Sequence, residues 1–381
     1  MSRKNNDRRP HRGDRGFFRE LRKFIMVFLN LLTVLLLLLS AKLSCMSPEL
    51  WILSSYPNYL FLVLVLVNLC FFVYWIFRRN LWLLLSLCFF ILTWPEFRSW
   101  LPLQAPWSKE NSDTEVLLNK GIKLLTYNTM QFSGYQPHSS RNSNKVIEYI
   151  RHVGADIVCL QEAGYMKSDR YLTREAVLKA LSSYPYQAEL PGEKQMNLWV
   201  FSKYPIVRVE RILYESRSNA SFFCDVKIED KMIRLINNHL ESNRLTQQDK
   251  NLYKEIIDSP DKESVSHVAR ELGRKLTPAA VIRARQAEAV SRAVQESPYP
   301  VIVCGDFNDI PNSYTYRRMG RGLTDAWKQH ASGLGVTFHE KFYRFRIDYI
   351  MHSPSLRSFG THIDRVDYSD HYPLWTYFLL P

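Results

Sequence analysis

Eighteen consecutive residues, Phe24 to Ala41 (FIMVFLNLLTVLLLLLSA), carry no charge, about the length a helix needs to cross the hydrocarbon layer of a bilayer. A second uncharged stretch runs from Leu50 to Phe77, and its part from Tyr59 contains no proline and is long enough by itself. A third, Asn80 to Pro95 (NLWLLLSLCFFILTWP), has sixteen residues, a length that also suits a re-entrant or interfacial segment. It is read as a span because Arg78-Arg79-Asn80 forms a tight polar corner between apolar flanks, and Trp82 and Trp94 stand where interfacial rings anchor a helix. A cleaved signal is the competing reading of the first run; the run is longer than a usual signal core, and Lys42 breaks the small-residue cleavage pattern. Most of the long apolar runs precede Leu103, so the chain reads as a membrane-attached part followed by one large soluble domain.

Charge sharpens this division. The formal net charge is +13, and the first 23 residues hold nine Lys/Arg against three Asp/Glu. The positive-inside rule puts this leader and the Arg78-Arg79 corner on the cytoplasmic side, two spans apart. Three spans place the residues after Leu103 outside the cytoplasm; if the third segment does not cross, they are cytoplasmic. The expected organisation is a basic leader over residues 1–23, a membrane region over 24–103 with spans near 24–41, 59–77 and 80–95, a polar linker over 104–120, and a soluble domain over 121–381. The remaining excess in that domain is modest and does not demand a broad nucleic-acid-binding face. Six cysteines show no metal-binding spacing, and Cys159, Cys224 and Cys304 read as small buried hydrophobes of strands.

Beyond the linker the pattern changes to short β-rich runs alternating with helical periods. Strands are expected at Ile122–Tyr127, Asp156–Gln161, Leu198–Ser202, Ile206–Ile212, Phe222–Ile228, Met232–Asn237, Val301–Cys304, Ile347–Met351 and Leu374–Leu379. Helices are expected at Asn144–Val153 and Ala279–Val294, and Glu229-Asp230-Lys231 suits a hairpin tip. This mixture predicts an α/β domain with antiparallel pairing, its core formed by two sheets or by a sheet and helices. The charged stretch Glu241–Thr277 is long for a bare connection and predicts helices of its own. There is no Walker-type or dinucleotide-type glycine loop.

Five segments end an apolar run in polar groups able to bind a metal or a phosphate: LLTYN ending at Asn128, DIVCLQE ending at Glu162, INNHL containing His239, VCGDFND containing Asp306 and Asn308, and Ser369-Asp370-His371. Strand ends are rigid, so side chains placed there converge from distant parts of the chain. Singly, each has an ordinary structural reading: a capping carboxylate, a surface histidine, a turn former.

Taken in order, LLTYNT, DIVCLQE, FSKYPI, NNHLES, GDFND, RIDYIM and SDHYPL resemble the endonuclease/exonuclease/phosphatase superfamily, the deoxyribonuclease-I-like fold, over roughly Gly121 to Leu380. The resemblance implies a four-layer α/β sandwich of two packed mixed sheets. It also implies that Glu162 is the principal ligand of a divalent cation, Mg²⁺ or Mn²⁺, with Asn128 beside it and Asp370 as a further carboxylate. Asp306 would orient or deprotonate the attacking water, and Asn308 would hydrogen-bond the phosphorane. Asp348 would fix the tautomer of His371, and His239 would assist the leaving oxygen, as in relatives of the deoxyribonuclease and sphingomyelinase kind. Arg344 and Arg346 beside Asp348, with Lys194, Arg317, Arg318 and Arg321, are candidates for contacting a phosphate backbone.

The function expected from these readings is a membrane-anchored, divalent-metal-dependent phosphoesterase hydrolysing phosphodiester or phosphomonoester bonds, endonuclease-like, with the substrate, nucleic acid or lipid, left open. The alternatives are a lipid phosphodiesterase of the sphingomyelinase kind, or an inactive, membrane-tethered binding module of the same fold. The bilayer is the expected partner of the N-terminal helices, and no obligate protein partner is inferred.

Overall fold

The computed structural model describes residues 12–104, 120–139, 142–168, 170–192, 196–216, 218–243, 262–340 and 343–381. The first part of the basic leader, nearly all of the expected linker and Lys194 lie outside the described residues. The chain divides into two compact units, Met1–Leu43 with Tyr56–Glu96, and Ser44–Ser55 with Phe97–Pro381.

In the first unit, Gly16–Leu43 and Ile52–Phe77 are long and apolar enough to cross a membrane. Only 28% and 22% of their most apolar windows are buried, whereas the core helix of a soluble protein hides most of its apolar surface. The third apolar segment forms a shorter helix, Leu83–Leu92, about 15 Å long at the standard rise and therefore half of the hydrocarbon thickness. Two of the three expected spans thus reach crossing length. The buried Asn30 joins three helices: its Nδ2 donates to Ser86 Oγ at 3.0 Å and its Oδ1 accepts from Trp75 Nε1 at 3.0 Å. In apolar surroundings such an amide must be bonded, so one residue fixes the helical register. Arg19, Arg22, Lys23 and Arg78 line a single cavity of about 270 Å³, so the leader and the polar corner meet at one end of this unit.

The second unit contains two six-stranded mixed sheets. The first has the order β13-β14-β1-β2-β4-β3, from Arg357–Ile363, Leu374–Leu379, Ile122–Asn128, Ile157–Gln161, Leu198–Ser202 and Tyr186–Leu190. The second has the order β5-β6-β7-β8-β12-β9, from Ile206–Arg211, Ala220–Ile228, Lys231–His239, Val301–Asp306, Asp348–His352 and Thr324–Asp325. A hairpin of β10 (Phe338–Glu340) and β11 (Tyr343–Phe345) stands apart. Among the described residues, only β1 with β2 and β7 with β8 pair in parallel.

Alternation along the strands builds the layers. Leu124, Ile157, Cys159 and Val200 of the first sheet meet Phe222, Cys224, Leu235, Cys304 and Ile350 of the second between the sheets. The intervening Leu125, Val158, Leu160 and Trp199 point outward against the helices Lys145–Val153 and Arg174–Ala180. On the far side, Ile236, Val303 and Tyr349 face the helices Lys262–Gln295 and Tyr314–Met319. The result is helix, sheet, sheet, helix. Strands buried on both faces read as continuous apolar runs, which is why most of the nine expected strands were visible in the sequence; the exposed edge strand Ile206–Arg211 is the exception. Cys159, Cys224 and Cys304 are buried free thiols as expected.

The helix Lys145–Val153 starts where predicted because Asn144 caps it, accepting from Val146 and Ile147 N. The helix predicted from Ala279 begins earlier, at Lys262, and runs through Pro278 to Gln295. It absorbs the end of the charged stretch, of which 244–261 lie outside the described residues.

Candidate active site

Strand register brings the polar run ends together. Asn128 closes β1 opposite Gln161, the last residue of β2, so Glu162 follows directly beside it. In the other sheet His239 closes β7 opposite Asp306, which closes β8, and Asp348 opens the antiparallel β12 opposite that same Asp306. Five side chains therefore emerge at one edge of the sandwich. Beneath them Gln161 Nε2 donates to Asn237 Oδ1 at 2.7 Å, and Asn237 Nδ2 donates to the carbonyls of Leu160 and Trp199, which ties the sheets together.

Two backbone features shape this edge. At Gly305, φ is +117°, and an added Cβ would stand 2.1 Å from the Asn238 carbonyl; only glycine permits β8 to approach β7 this closely. Glu162 and Asn308 hold left-handed φ values of 48° and 51°, which a non-glycine residue adopts at an energetic penalty, typically where surrounding contacts enforce it. For Asn308 those contacts are its Nδ2 on the Leu240 carbonyl at 2.9 Å and its N–H on Asp306 Oδ1 at 2.8 Å.

The side chains converge on Asp306 Oδ2. Asn128 Nδ2 donates to it at 3.0 Å and to Glu162 Oε1 at 3.2 Å. His239 Nε2 and His371 Nε2 each lie 3.8 Å from Asp306 Oδ2, and His239 Nε2 is 3.4 Å from Glu162 Oε1. His371 Nδ1 meets Asp348 Oδ2 at 2.8 Å, the arrangement in which a carboxylate fixes an imidazole tautomer. Asp306, Asp348 and His371 offer donor atoms within 4.8 Å of one another.

The electrostatics follow from burial and sign. Burial and the neighbouring Asp348 push the Asp306 carboxyl up to about 6. Burial also raises Glu162, opposed by the hydrogen bond from Asn128. Burial alone would lower both imidazoles. It prevails at His239, but at His371 Asp348 and Asp306 reverse it and hold the ring well above its ordinary value. His239 Nδ1 is buried without a hydrogen-bond partner, whereas the corresponding nitrogen of His371 has Asp348.

This donor set fits a hard divalent cation. Three carboxylates, Glu162, Asp306 and Asp348, stand around one imidazole that carries positive charge, and the two raised carboxyl pKa values come from burial first, with neighbouring carboxylates adding to it. Oxygen donors in that excess suit Mg²⁺ or Mn²⁺. Glu162 retains a fifth of its side chain exposed, which leaves an approach from solvent.

Not every expected residue joins the cluster. Asp370 is half-buried with Oδ1 accepting from Ser369 Oγ at 3.3 Å, and its charge acts on Glu162 and His371. Arg344 is exposed on β11 opposite His339. Arg346 corrects the expectation of a substrate contact: its side chain is 1% exposed, with Nη1 on Asp325 Oδ2 at 2.8 Å and Nη2 on the Ser99 carbonyl at 2.7 Å. The chain direction around Asp348 sends this guanidinium into the interior.

Sequence reasoning assigned no individual role to four contributors. Gln131 donates to Glu162 Oε2 at 2.9 Å from a left-handed run, Met130–Tyr135. Thr337 Oγ1 accepts from the N–H of Ile347 and of Asp348, both at 3.1 Å. Ser369 Oγ donates to the Asn128 carbonyl at 2.8 Å, which pins the His371 loop to β1, and the Phe338 ring lies 5.1 Å from that of His371. Gln131 and Ser369 adjoin motif residues and were legible there; Thr337 and Phe338 follow no motif, and only the hairpin β10–β11 brings them in.

The model of the Endonuclease/Exonuclease/phosphatase family matches residues 125–371. A second model, described as a domain of unknown function, matches residues 22–100. Among curated proteins, none matches the chain. Among solved structures, a humanized TDP2 from D. rerio shares 16% identity and covers 68% of this chain and 99% of its own, with a TM-score of 0.47. An endonuclease/exonuclease/phosphatase from Beutenbergia cavernae shares 15%, covering 68% and 72%, at 0.45. The human Nocturnin catalytic domain shares 16%, covering 68% and 94%, at 0.44.

Proposed function

The chain belongs to the endonuclease/exonuclease/phosphatase family, a family of phosphoesterase hydrolases, and from that premise we propose that it is a divalent-metal-dependent phosphodiesterase held to a bilayer by its N-terminal apolar helices. The observation that carries this reading is the convergence of Asn128 and Glu162 from one sheet with His239, Asp306 and Asp348 from the other, closed by His371 on the loop between β13 and β14.

Glu162 and Asn128 would hold the cation, with Asp370 adding negative charge nearby. When bound, it supplies Lewis-acid neutralisation of the phosphoryl oxygens. Asp306 is a carboxylate near neutral pH, so it can orient a water and accept its proton as the water oxygen bonds to phosphorus. Asn308, its Nδ2 shared between the Leu240 carbonyl and Asp306 Oδ2, keeps Asp306 in place and would reach a phosphoryl oxygen by exchanging the Asp306 bond. His371, cationic through Asp348, presents Nε2–H to the charge that develops on phosphorus. His239 is the group available to the leaving oxygen once the P–O bond breaks. The exposed Arg344 can meet a further phosphate of the substrate.

Nucleic acid is the first substrate class we propose. A lipid phosphodiester is the second, favoured by one observation: two span-length apolar helices precede the domain, and confinement to a bilayer raises the effective concentration of lipid substrates. The test uses the full chain with Mg²⁺ on plasmid DNA, RNA and a panel of phospholipids and sphingolipids. Wild-type turnover that disappears in Glu162→Gln and His371→Ala is expected; equal rates in wild type and both variants would overturn the assignment.

A further inference from the structure

A cavity of about 400 Å³ opens at the outer edge of the second sheet. It lies beside β9, the edge strand, which pairs with Met351 and His352 at the end of β12 remote from Asp348. Arg98, Arg317 and Lys328 line it, with Tyr316, Asp325 and Gln329.

The carboxylate there is saturated. Asp325 accepts from Arg346 Nη1 at 2.8 Å, from the Tyr316 hydroxyl at 2.9 Å and from the N–H groups of Trp327 and Lys328 at 3.0 and 3.3 Å. One carboxylate thus stands among four cationic side chains, and the repulsion is felt at Lys328: burial first, then Arg98, Arg346 and Arg317, lower its amine against the pull of Asp325.

The wall that carries Arg98 is also fixed. Ser99 accepts from Lys328 Nζ at 3.1 Å and from Arg346 Nη2 at 2.7 Å. Further along, Gln104 N donates to Ser332 Oγ, Gln104 Nε2 donates to the carbonyls of Lys328 and Gln329, and Gly333 N donates to the Pro102 carbonyl. Arg98 makes no ion pair among the described residues.

We propose that this cavity binds a phosphate-class anion, a phosphomonoester or phosphodiester, between Arg98, Arg317 and Lys328. Guanidinium groups match phosphate oxygens in pairs and the ammonium adds a point charge, and the volume accommodates a headgroup-sized ligand. The same chemistry is offered by a soluble phosphate ester or by an anionic lipid headgroup, the latter made relevant by the apolar helix that ends at Leu92, six residues before Arg98.

The test is amine labelling of Lys328 followed by mass spectrometry, on the full chain in EDTA so that no metal holds phosphate at the catalytic edge. Inorganic phosphate is titrated against chloride at equal ionic strength, and nanodiscs of phosphatidylcholine alone are compared with nanodiscs containing phosphatidylglycerol. At ten times the dissociation constant, labelling should fall about tenfold. Protection by inorganic phosphate supports the site and identifies a soluble ligand; protection confined to phosphatidylglycerol supports it and identifies a lipid. Protection by neither overturns the proposal. Arg98→Gln should abolish the protection and Arg151→Gln, at an exposed arginine on the helix Lys145–Val153, should preserve it; unchanged protection in Arg98→Gln overturns the proposal too. Should Arg98→Gln not fold, the wild-type labelling decides by itself.

Discussion

Two charge clusters flank β12, one buried and one half-buried, and they are opposites. At its beginning, Glu162, Asp306 and Asp348 outnumber their cationic partner His371; to its side, Arg98, Lys328 and Arg346 outnumber Asp325. Interiors tolerate ionised groups when they are paired and hydrogen-bonded. A surplus of one sign, built on fixed elements, therefore points to a ligand of the other sign. Arg346 and Asp348 stand two residues apart in sequence and serve different clusters, so proximity along the chain is a poor guide to role.

The largest expected effect breaks the acidic cluster. Glu162→Gln removes the charge but keeps the shape, and phosphodiester turnover should fall by at least about a thousandfold, the scale of losing a principal stabiliser of developing charge. Chelation of the wild type should give the same loss, reversed by added Mg²⁺. Hydrolysis of bis(p-nitrophenyl) phosphate measures both, and retained activity in EDTA would dissociate the cluster from any cation.

Asp348→Asn is expected to lower turnover by about a hundredfold or more, the range for a carboxylate that orients a catalytic imidazole. His371 is held above its ordinary value by Asp348 and Asp306 against burial, so removal of Asp348 must move its titration downward. NMR titration of the ring reports the shift separately from the rate; an unmoved titration would show that Asp306 suffices.

On the opposite cluster the effect is on stability. Arg346→Met leaves Asp325 buried with its main cationic partner gone, which typically costs about 3–5 kcal/mol, read as a lower midpoint of chemical denaturation. Arg344→Ala, at an exposed position, should leave the midpoint unchanged and raise KM a few-fold if Arg344 meets substrate phosphate. Equal midpoints for the two variants would erase the distinction between them.

That distinction shows where the sequence was legible. Asn128, Glu162, His239 and Asp306 could be read together because each sits at the end of an apolar strand, and a strand end has a direction that register fixes; Asp348 was legible only through the resemblance carried by RIDYIM. Arg344 and Arg346 could not be separated, since the short hairpin β10–β11 and its continuation carry no period long enough to show which side faces inward. The strands at Tyr186–Leu190 and Arg357–Ile363 are sheet edges whose partial exposure breaks the apolar run that marks a central strand, whereas the edge strand Ile206–Arg211 was legible from the alternation of Ile206, Val207 and Val209 with charged residues. Thr337 and Phe338 were invisible because tertiary packing alone connects them to Asp348 and His371.

The smallest effect sharpens the contrast between imidazoles in the two surroundings. His330 ends the helix Ala326–His330 that carries Lys328, and its Nε2 meets Ser358 Oγ at 3.1 Å. It has no carboxylate comparable to Asp348. Burial, with His352 and Arg357 adding positive charge, lowers it to about 4, whereas the unfolded chain restores about 6.5. The unfolded state therefore binds more protons between these values, so this residue makes stability rise with pH from about 4 to about 6.5 and level off above. His371, shifted the opposite way, makes stability fall as pH rises through its folded value. The two contributions are separated by difference: His330→Gln should flatten the acid limb of the thermal midpoint below pH 6.5 and leave the limb above neutrality unchanged. Partial exposure of the ring keeps the change to a few degrees or less. A variant that tracked the wild type down to pH 4 would show that His330 keeps an ordinary titration, and that burial in the cationic surroundings does not suffice to move an imidazole.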